Sequence, residues 1–326
     1  MTKRSRKIPD PKPAFVERIN QLLTEEKDNK AYWEILKTKP VHSIRCNTLK
    51  ISPEKLIKKL NSKGWKISQP WKTNPEIMII ESALLPGELG RALEHLLGYY
   101  YIQELSSMLP MIAMKPKENE SYLDLCAAPG SKTTQAAALM KNTGTIIANE
   151  ISIGRMRILA SNLERCGVTN TIITRKEGRA LSKNLEKNNM TFDKILVDAP
   201  CSGEGTLRST PKTYIMWNPK TIKHLSKLQK QLFLSSFDKL KINGEMIYST
   251  CTHAPEENEE VVSYCLEKLG NKIEIIDFKL PIKTREGITK WQDKEYDKRV
   301  KLTKRIYPHD NNTEGFFVSK FRKVKE

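Results

Sequence analysis

From about residue 114 onward the chain alternates between short apolar runs and amphipathic stretches of helical period. That alternation confines it to an α/β fold with a parallel sheet covered on both faces. The runs SYLDLC, GTIIANE, TIIT, FDKILVD, EMIYST, KIEIIDF and GFFVSKF give seven expected strands. Between them lie helical patterns: SKTTQAAALMK, Ser152 to Arg165 closed by Gly167, Asn218-Pro219 through Lys241 ended near Gly244, and PEENEEVVSYCLEKLG. The charged stretch from Lys283 to Arg305 has no clear period and reads as a loop or irregular insertion near the site.

The part before residue 114 is different. A basic tail leads into an amphipathic helix with Phe15, Ile19, Leu22 and Leu23 at helical spacing. The strand-like SIRCNTLK follows, then a helix capped by Ser52 and opened by Pro53, with Leu56, Ile57 and Leu60 on one face and Gly64 at its end. A second strand spans Ile77 to Ile80, giving a small βαβ-like unit with basic surfaces. At 326 residues two domains are expected, 1–113 and 114–326.

Lys and Arg number 56 against 38 Asp and Glu, a formal net charge of +18, which points to a polyanionic partner such as nucleic acid. No run of about 18 apolar residues exists and the basic start lacks an apolar stretch, so a soluble, cytoplasmic protein with no membrane partner is expected. The six cysteines form no CxxC pair and the five histidines are scattered, so no metal site is expected. Cys46, Cys166 and Cys265 fall within helix or strand patterns and read as core thiols.

In such a sheet, ligands sit beyond the carboxyl ends of the strands. The first strand ends at Asp124-Leu125-Cys126 and runs into Ala127-Ala128-Pro129-Gly130-Ser131-Lys132, whose small residues let a cofactor approach the backbone. The next ends at Glu150, where a carboxylate can accept both hydroxyls of a ribose. The loop lacks both the three spaced glycines of a dinucleotide site and the Gly-Lys adjacency of a phosphate loop. A nucleoside without phosphates fits better, and S-adenosylmethionine is the commonest such cofactor.

Cys201, in DAPCSG, and Cys251, in STCT, each lie just past a strand end on that same rim. A thiolate adding at C6 of cytosine places electron density on C5, which can then take a methyl from a sulfonium. Asp198 is placed to act as an acid near N3. Spacing does not decide which thiol adds.

These residues resemble the Nop/Sun family of RNA (cytosine-5) methyltransferases, of the archaeal type. The likeness runs through RCNTLK, YYIQELSSMLP, DLCAAPGSKT, DAPCSGEGTLR, STCTHAPEENE and RIYPHDNNTEGFFVSK, nearly the whole chain. The resemblance implies a Rossmann-like class I methyltransferase domain with a seven-stranded sheet and a small α+β, RNA-recognition-like N-terminal lobe. It implies Cys251 as nucleophile, Cys201 as the thiol that assists product release, and Asp198 at the cofactor or target base. Lys132 would activate Cys251 or orient the base. By the same likeness Cys126, Ala127, Ala128, Pro129, Gly130, Ser131 and Lys132 hold the methionine end of S-adenosyl-L-methionine, and Glu150 the ribose. Glu177, where many relatives carry Asp, sits beside the adenine, and Arg155 at the pocket rim. RNA is then the partner, tRNA before ribosomal RNA, with Tyr99 to Tyr101 either stacking on bases or packed between the lobes. The protein is expected to be a monomer. The contrasting reading is a non-catalytic RNA-binding or ribosome-assembly factor.

Overall fold

The computed structural model describes residues 9–325, so the basic cluster of the N-terminal tail lies outside the described residues. The smaller half is a four-stranded antiparallel sheet made by β1 (His42–Cys46), β2 (Ile67–Ser68), β3 (Ile77–Ile80) and β4 (Tyr100–Ile102), in the order β2-β3-β1-β4. The helix Pro53–Asn61 begins as expected, with the Ser52 hydroxyl accepting from the Lys55 N–H, and buries Leu56 and Leu60 against Ile44, Met78 and Tyr100. The βαβ-like reading is corrected. The crossover ends on the two-residue β2, and β3 turns back to insert between β2 and β1, so β1 and β3 are antiparallel.

The larger half contains β5 (Ser121–Asp124), β6 (Thr145–Asn149), β7 (Thr171–Thr174), β8 (Phe192–Asp198), β9 (Leu240–Thr250), β10 (Ile273–Ile276), β11 (Arg285–Glu286), β12 (Lys290–Trp291), β13 (Lys294–Glu295), β14 (Lys304–Ile306) and β15 (Phe316–Lys323). The strands β7-β6-β5-β8-β9 are parallel, and β15 adds antiparallel to β9. Both β14 and β10 pair the far side of β15, so the sheet is mixed rather than wholly parallel. Both faces are buried, as the strand alternation requires. Ile195, Val197, Met246 and Tyr248 enter one apolar layer, while Leu196 and Ile247 enter the other.

All seven expected strands are present, and four more come from the stretch expected to be irregular: β11 and β14 extend the sheet, while β12 and β13 form a separate hairpin. Its buried anchors Trp291, Tyr296 and Val300 follow neither a strand nor a helix period, which is why no element shows in the sequence. The long helix ends at Phe237 rather than at Lys241, because Leu240 leaves it to pair with Phe192 in the sheet. The helices Pro13–Leu22 and Glu26–Leu36 dock on the larger half, where Phe15 meets Trp217 edge-on at 5.4 Å and Arg18 grips Glu256 with bonds of 3.0 and 2.7 Å.

The two halves are joined by the RCN motif. Arg45, 2% exposed, donates to Gln103, to the Ser131 carbonyl at 2.7 Å and to the Thr134 hydroxyl at 2.8 Å, while Asn47 bonds the carbonyls of Gly98 and Cys166. Tyr100 and Tyr101 are buried in this joint, so neither is free to stack on a base. No helix among the described residues is long and apolar enough to cross a membrane.

Candidate active site

The chain leaves β5 at Asp124 and must turn sharply into the helix Ser131–Leu139. Gly130 makes the turn at φ +103°, where a side chain would be strained and its Cβ would crowd Leu159 at 3.0 Å. Gly130 borders none of the cavities described below, so its part is to shape the loop. One cavity of about 250 Å³ is bordered by Asp124, Cys126, Ala127, Ala128, Pro129, Ser131, Lys132 and Asp198. Asp124 is 1% exposed and accepts from the Thr133 hydroxyl at 2.7 Å, yet its Oδ1 has no partner among the described residues. Burial, with the Asp198 charge adding to it, pushes its carboxyl up to about 7.

A second cavity of about 310 Å³ adjoins the first and is lined by Cys126, Ala128, Glu150, Arg155, Glu177, Asp198, Cys201 and Cys251, with Leu228 and Leu232 as apolar wall. Glu150, at the end of β6, is 2% exposed and accepts from the Ser152 N–H at 2.8 Å. Arg155 reaches Glu150 at 3.2 Å and donates to the Ala128 carbonyl at 2.6 Å, fastening the two loops together. Glu177 caps the helix Gly178–Lys187 by accepting from the Ala180 N–H at 3.2 Å. Burial pushes the Cys126 thiol up, so it stays protonated and contributes shape.

The parallel register of β8 and β9 sets Asp198 beside Ser249, and the Ser249 hydroxyl donates to Asp198 Oδ1 at 2.7 Å. The turns that follow therefore start level. Cys201 and Cys251 meet with their sulfurs 3.2 Å apart. The bond to the Cys251 sulfur and then burial push the Cys201 thiol well above its ordinary range, so Cys201 keeps its proton. Lys132 Nζ stands 2.8 Å from Asp198 Oδ2 and 3.0 Å from the Ser107 hydroxyl. Gly205 locks the Cys251 loop: its N–H donates to the Cys251 carbonyl and its carbonyl accepts from the Gly315 N–H. A Cβ there would lie 2.2 Å from the Gly315 oxygen.

A third cavity, of about 340 Å³, opens on the other side of these residues, between Val41 to Ser43, Ile102 to Glu104, Thr206, Ser209, Glu314 and Phe316. Cys251 and Asp198 border both this cavity and the one holding Glu150. The structure thus brings together every residue expected at the site except Gly130. Sequence reasoning missed Asp124 as a cavity residue, Glu257, Glu104 and Glu314. Glu257 braces the Cys201 turn, accepting from the Ser202 N–H at 3.0 Å and from Gln229 at 2.8 Å. PEENEE marked Glu257, TEGFF marked Glu314, YYIQELSSMLP held Glu104 and SYLDLC held Asp124, and none of these patterns separates a buried carboxylate from a solvated one.

Among the described residues one other group could offer metal ligands, Asp28, His309 and Asp310. The Arg285 guanidinium fills it, bonded to both aspartates and 2.9 Å from His309 Nε2.

Comparison with known proteins agrees with this geometry. The family model for 16S rRNA methyltransferase RsmB/F matches residues 111–322, and that for the N-terminal domain of 16S rRNA methyltransferase RsmF matches residues 11–105. The chain is 40% identical to a tRNA (cytosine(49)-C(5))-methyltransferase of Pyrococcus abyssi, over 94% of this chain and 97% of that one. It is 37% identical to ribosomal RNA small subunit methyltransferase F of Vibrio parahaemolyticus, over 97% of this chain but 63% of the relative's length. A methyltransferase homologue from Pyrococcus horikoshii superposes with a TM-score of 0.82 at 35% identity, covering 95% and 94% of the two chains. NSun6 from the same organism, solved with SFG, superposes equally at 25% identity, covering 97% and 99%. A seven-strand pattern found intact, paired thiols on one rim and a family model spanning most of the chain converge: the chain belongs to the RsmB/F, or Nop/Sun, family of RNA cytosine-5 methyltransferases.

Proposed function

We propose that this chain methylates C5 of a cytosine in tRNA, using S-adenosylmethionine and a transient bond from Cys251 to C6. The observation that carries the proposal is the shared wall: Cys251 and Asp198 border both the cavity that holds Glu150 and the cavity beyond them. The residues fit the cofactor. Glu150 offers a buried carboxylate to two ribose hydroxyls, Leu228 and Leu232 an apolar wall to the adenine, and the unmatched Asp124 Oδ1 an acceptor to an ammonium group. Glu177 is placed for the adenine edge and Arg155 for the rim, while the backbone from Cys126 to Lys132 lines the methionine end. When bound, the cofactor supplies an electrophilic methyl on a positively charged sulfur.

The chain's own residues do the rest. The Cys251 thiolate adds to C6 and the C5=C6 bond opens, placing its electron pair on C5, which would take the methyl as the donor's sulfur–carbon bond breaks and leaves a neutral thioether. Asp198, held by Lys132 and Ser249, would meet N3 and share a proton with it, which neutralises the negative charge that the addition places there. Solvent takes the C5 proton, the electron pair of that C–H bond reforms C5=C6, and the Cys251–C6 bond breaks with its pair returning to sulfur. Cys201, 3.2 Å from the nucleophile and still protonated, returns a proton to the departing sulfur. Since C6 of a paired base is out of reach, the target cytosine is flipped out or already unpaired.

The tRNA reading rests on likeness, 40% identity to the Pyrococcus abyssi tRNA enzyme against 37% to the Vibrio ribosomal RNA enzyme. The Pyrococcus abyssi tRNA enzyme is matched over 97% of itself, whereas the chain spans 63% of the Vibrio ribosomal RNA enzyme. We read the protein as a cytoplasmic monomer, since two free thiols this close persist in a reducing compartment. The test is methyl incorporation into tRNA and ribosomal RNA transcripts. Cys251→Ala should lower it by about 10³-fold or more while cofactor binding stays intact. Cys201→Ala should accumulate a covalent RNA adduct, seen as a retarded band in a denaturing gel. Turnover retained by Cys251→Ala rejects the assigned nucleophile.

A further inference from the structure

Three carboxylates border the cavity beyond Cys251: Asp198, Glu104 and Glu314. Asp198 is engaged at both oxygens, by Ser249 and by Lys132. Glu104 is too: Oε2 accepts from the Ser106 and Ser107 N–H groups, and Oε1 from the Glu314 N–H at 2.9 Å. Glu314 differs. It is 3% exposed, its Oε1 accepts from the Ser209 N–H at 2.8 Å, and its Oε2 has no partner among the described residues. A buried carboxylate oxygen left unmatched beside a cavity costs free energy unless a ligand donor fills it. Burial, with Glu104 nearby, pushes the Glu314 carboxyl up to about 7, as expected of an acid short of partners.

Its position is tied to the nucleophile. The next residue, Gly315, donates to the Gly205 carbonyl at 2.8 Å, and Gly205 donates to the Cys251 carbonyl at 2.9 Å, a backbone relay that fixes Glu314 relative to the Cys251 loop. A cytosine attacked at C6 presents on its far edge an acceptor, N3, and a donor, the C4 amino group. Uracil presents a donor and an acceptor there instead. We propose that Glu314 reads the target base, accepting a hydrogen bond from the C4 amino group through its unmatched oxygen and so selecting cytosine over uracil. This rests on the cavity taking the target base, as proposed above.

Glu314→Gln tests it. The Ser209 N–H still needs an acceptor, so the glutamine oxygen stays with Ser209 and its NH₂ replaces the free oxygen, turning an acceptor into a donor. Wild type and variant are compared on one RNA carrying either cytosine or pyrimidin-2-one riboside, which has hydrogen in place of the amine, at the target position. The substitution should lower kcat/KM for methyl transfer to the cytosine RNA by about 10- to 100-fold and leave that for the pyrimidin-2-one RNA within about 3-fold. Equal losses on both RNAs would mean that Glu314 merely holds the loop, and no loss on cytosine would mean that it does not meet the base. Either result overturns the proposal. Thermal melting and cofactor binding of the variant establish that it is folded. Cys251→Ala run in parallel separates the two claims: if it still methylates, the cavity is misassigned whatever Glu314 does.

Discussion

The two cavities that meet at Cys251 are built on different principles. The cofactor-side cavity is made by the carboxyl ends of parallel neighbours and the turns that follow them: Cys126 and Ala128 after β5, Glu150 after β6, Asp198 to Cys201 after β8. Each wall segment is positioned by its own strand, and the sheet does the alignment. The cavity proposed for the base, the base-side cavity, shares Asp198, Ala199 and Cys251 with it, but its other walls have no such origin. They come from residues 40–43, 102–107, 206–209 and 314–316, four stretches that the chain brings from both halves of the molecule. What fastens them is Arg208, 7% exposed, which donates to the Thr313 carbonyl at 2.8 Å, the Asn312 side chain at 2.8 Å, the Lys39 carbonyl at 2.9 Å and the Thr38 hydroxyl at 3.0 Å. One cavity is stamped by the sheet; the other is tied together by long-range bonds, those of Arg208 joining three of the four stretches and the Glu104–Glu314 bond bringing in the fourth.

That difference has separable consequences. Arg208→Ala leaves two carbonyls and two side chains without their donor, and the base-side walls should drift apart. We expect kcat/KM for RNA to fall by about 100-fold while the cofactor dissociation constant, read by calorimetry, changes less than about 3-fold. A comparable loss of cofactor affinity would erase the distinction between the cavities. Glu150→Ala is the reciprocal and smaller perturbation. Losing the ribose acceptor should raise the cofactor KM by about 10-fold with the KM for RNA unchanged, because no base-side wall touches Glu150. A matching rise in the KM for RNA would mean that the two sites are coupled through more than their shared wall.

The same contrast explains what the sequence discloses. Strand ends carry their ligands with them, so Asp198, Glu150 and the Cys126 to Lys132 loop can be read from an apolar run followed by a turn. The two thiols fall on one rim because β8 and β9 are parallel neighbours, and the motif resemblance, not the spacing, separated their roles. Glu314 and Arg208 could not be read in this way. Their meaning depends on antiparallel β15 returning beside β9 and on a loop from the smaller half, contacts 67 or more residues apart in the chain. Arg45 shows the limit of charge as a guide. In a chain with 56 basic residues it looks like one more phosphate contact, yet it is buried against the helix that follows the cofactor loop. The expected irregular segment failed as a reading for a related reason, since its strands are two or three residues long and are defined by the neighbours they meet.

The smallest test concerns pH, and it bears on the base side alone. His253, two residues beyond Cys251, is 2% exposed, stacks on Tyr307 at 5.0 Å and lies against Gly315, where an added Cβ would stand 2.2 Å from its ring. Burial, with the charges of Arg305 and His309 adding to it, lowers its pKa from 6.5 to about 3, while Tyr32 and Tyr307 face it as neutral rings. Because the folded value lies below the unfolded one, the stability His253 confers by staying neutral is complete above pH 6.5 and is lost as pH falls from 6.5 toward 3. Asp124, Glu257 and Glu314, pushed up to about 7, act in the opposite sense between pH 4 and 7. They are common to wild type and variant, so their effect cancels in a difference. The gap in unfolding free energy between wild type and His253→Gln should be constant above pH 7 and should move in the variant's favour by about 2 kcal/mol at pH 5. A gap that does not move with pH would show that His253 already finds a partner for its proton, and that the loop carrying Cys251 is less tightly closed than its packing against Gly315 requires.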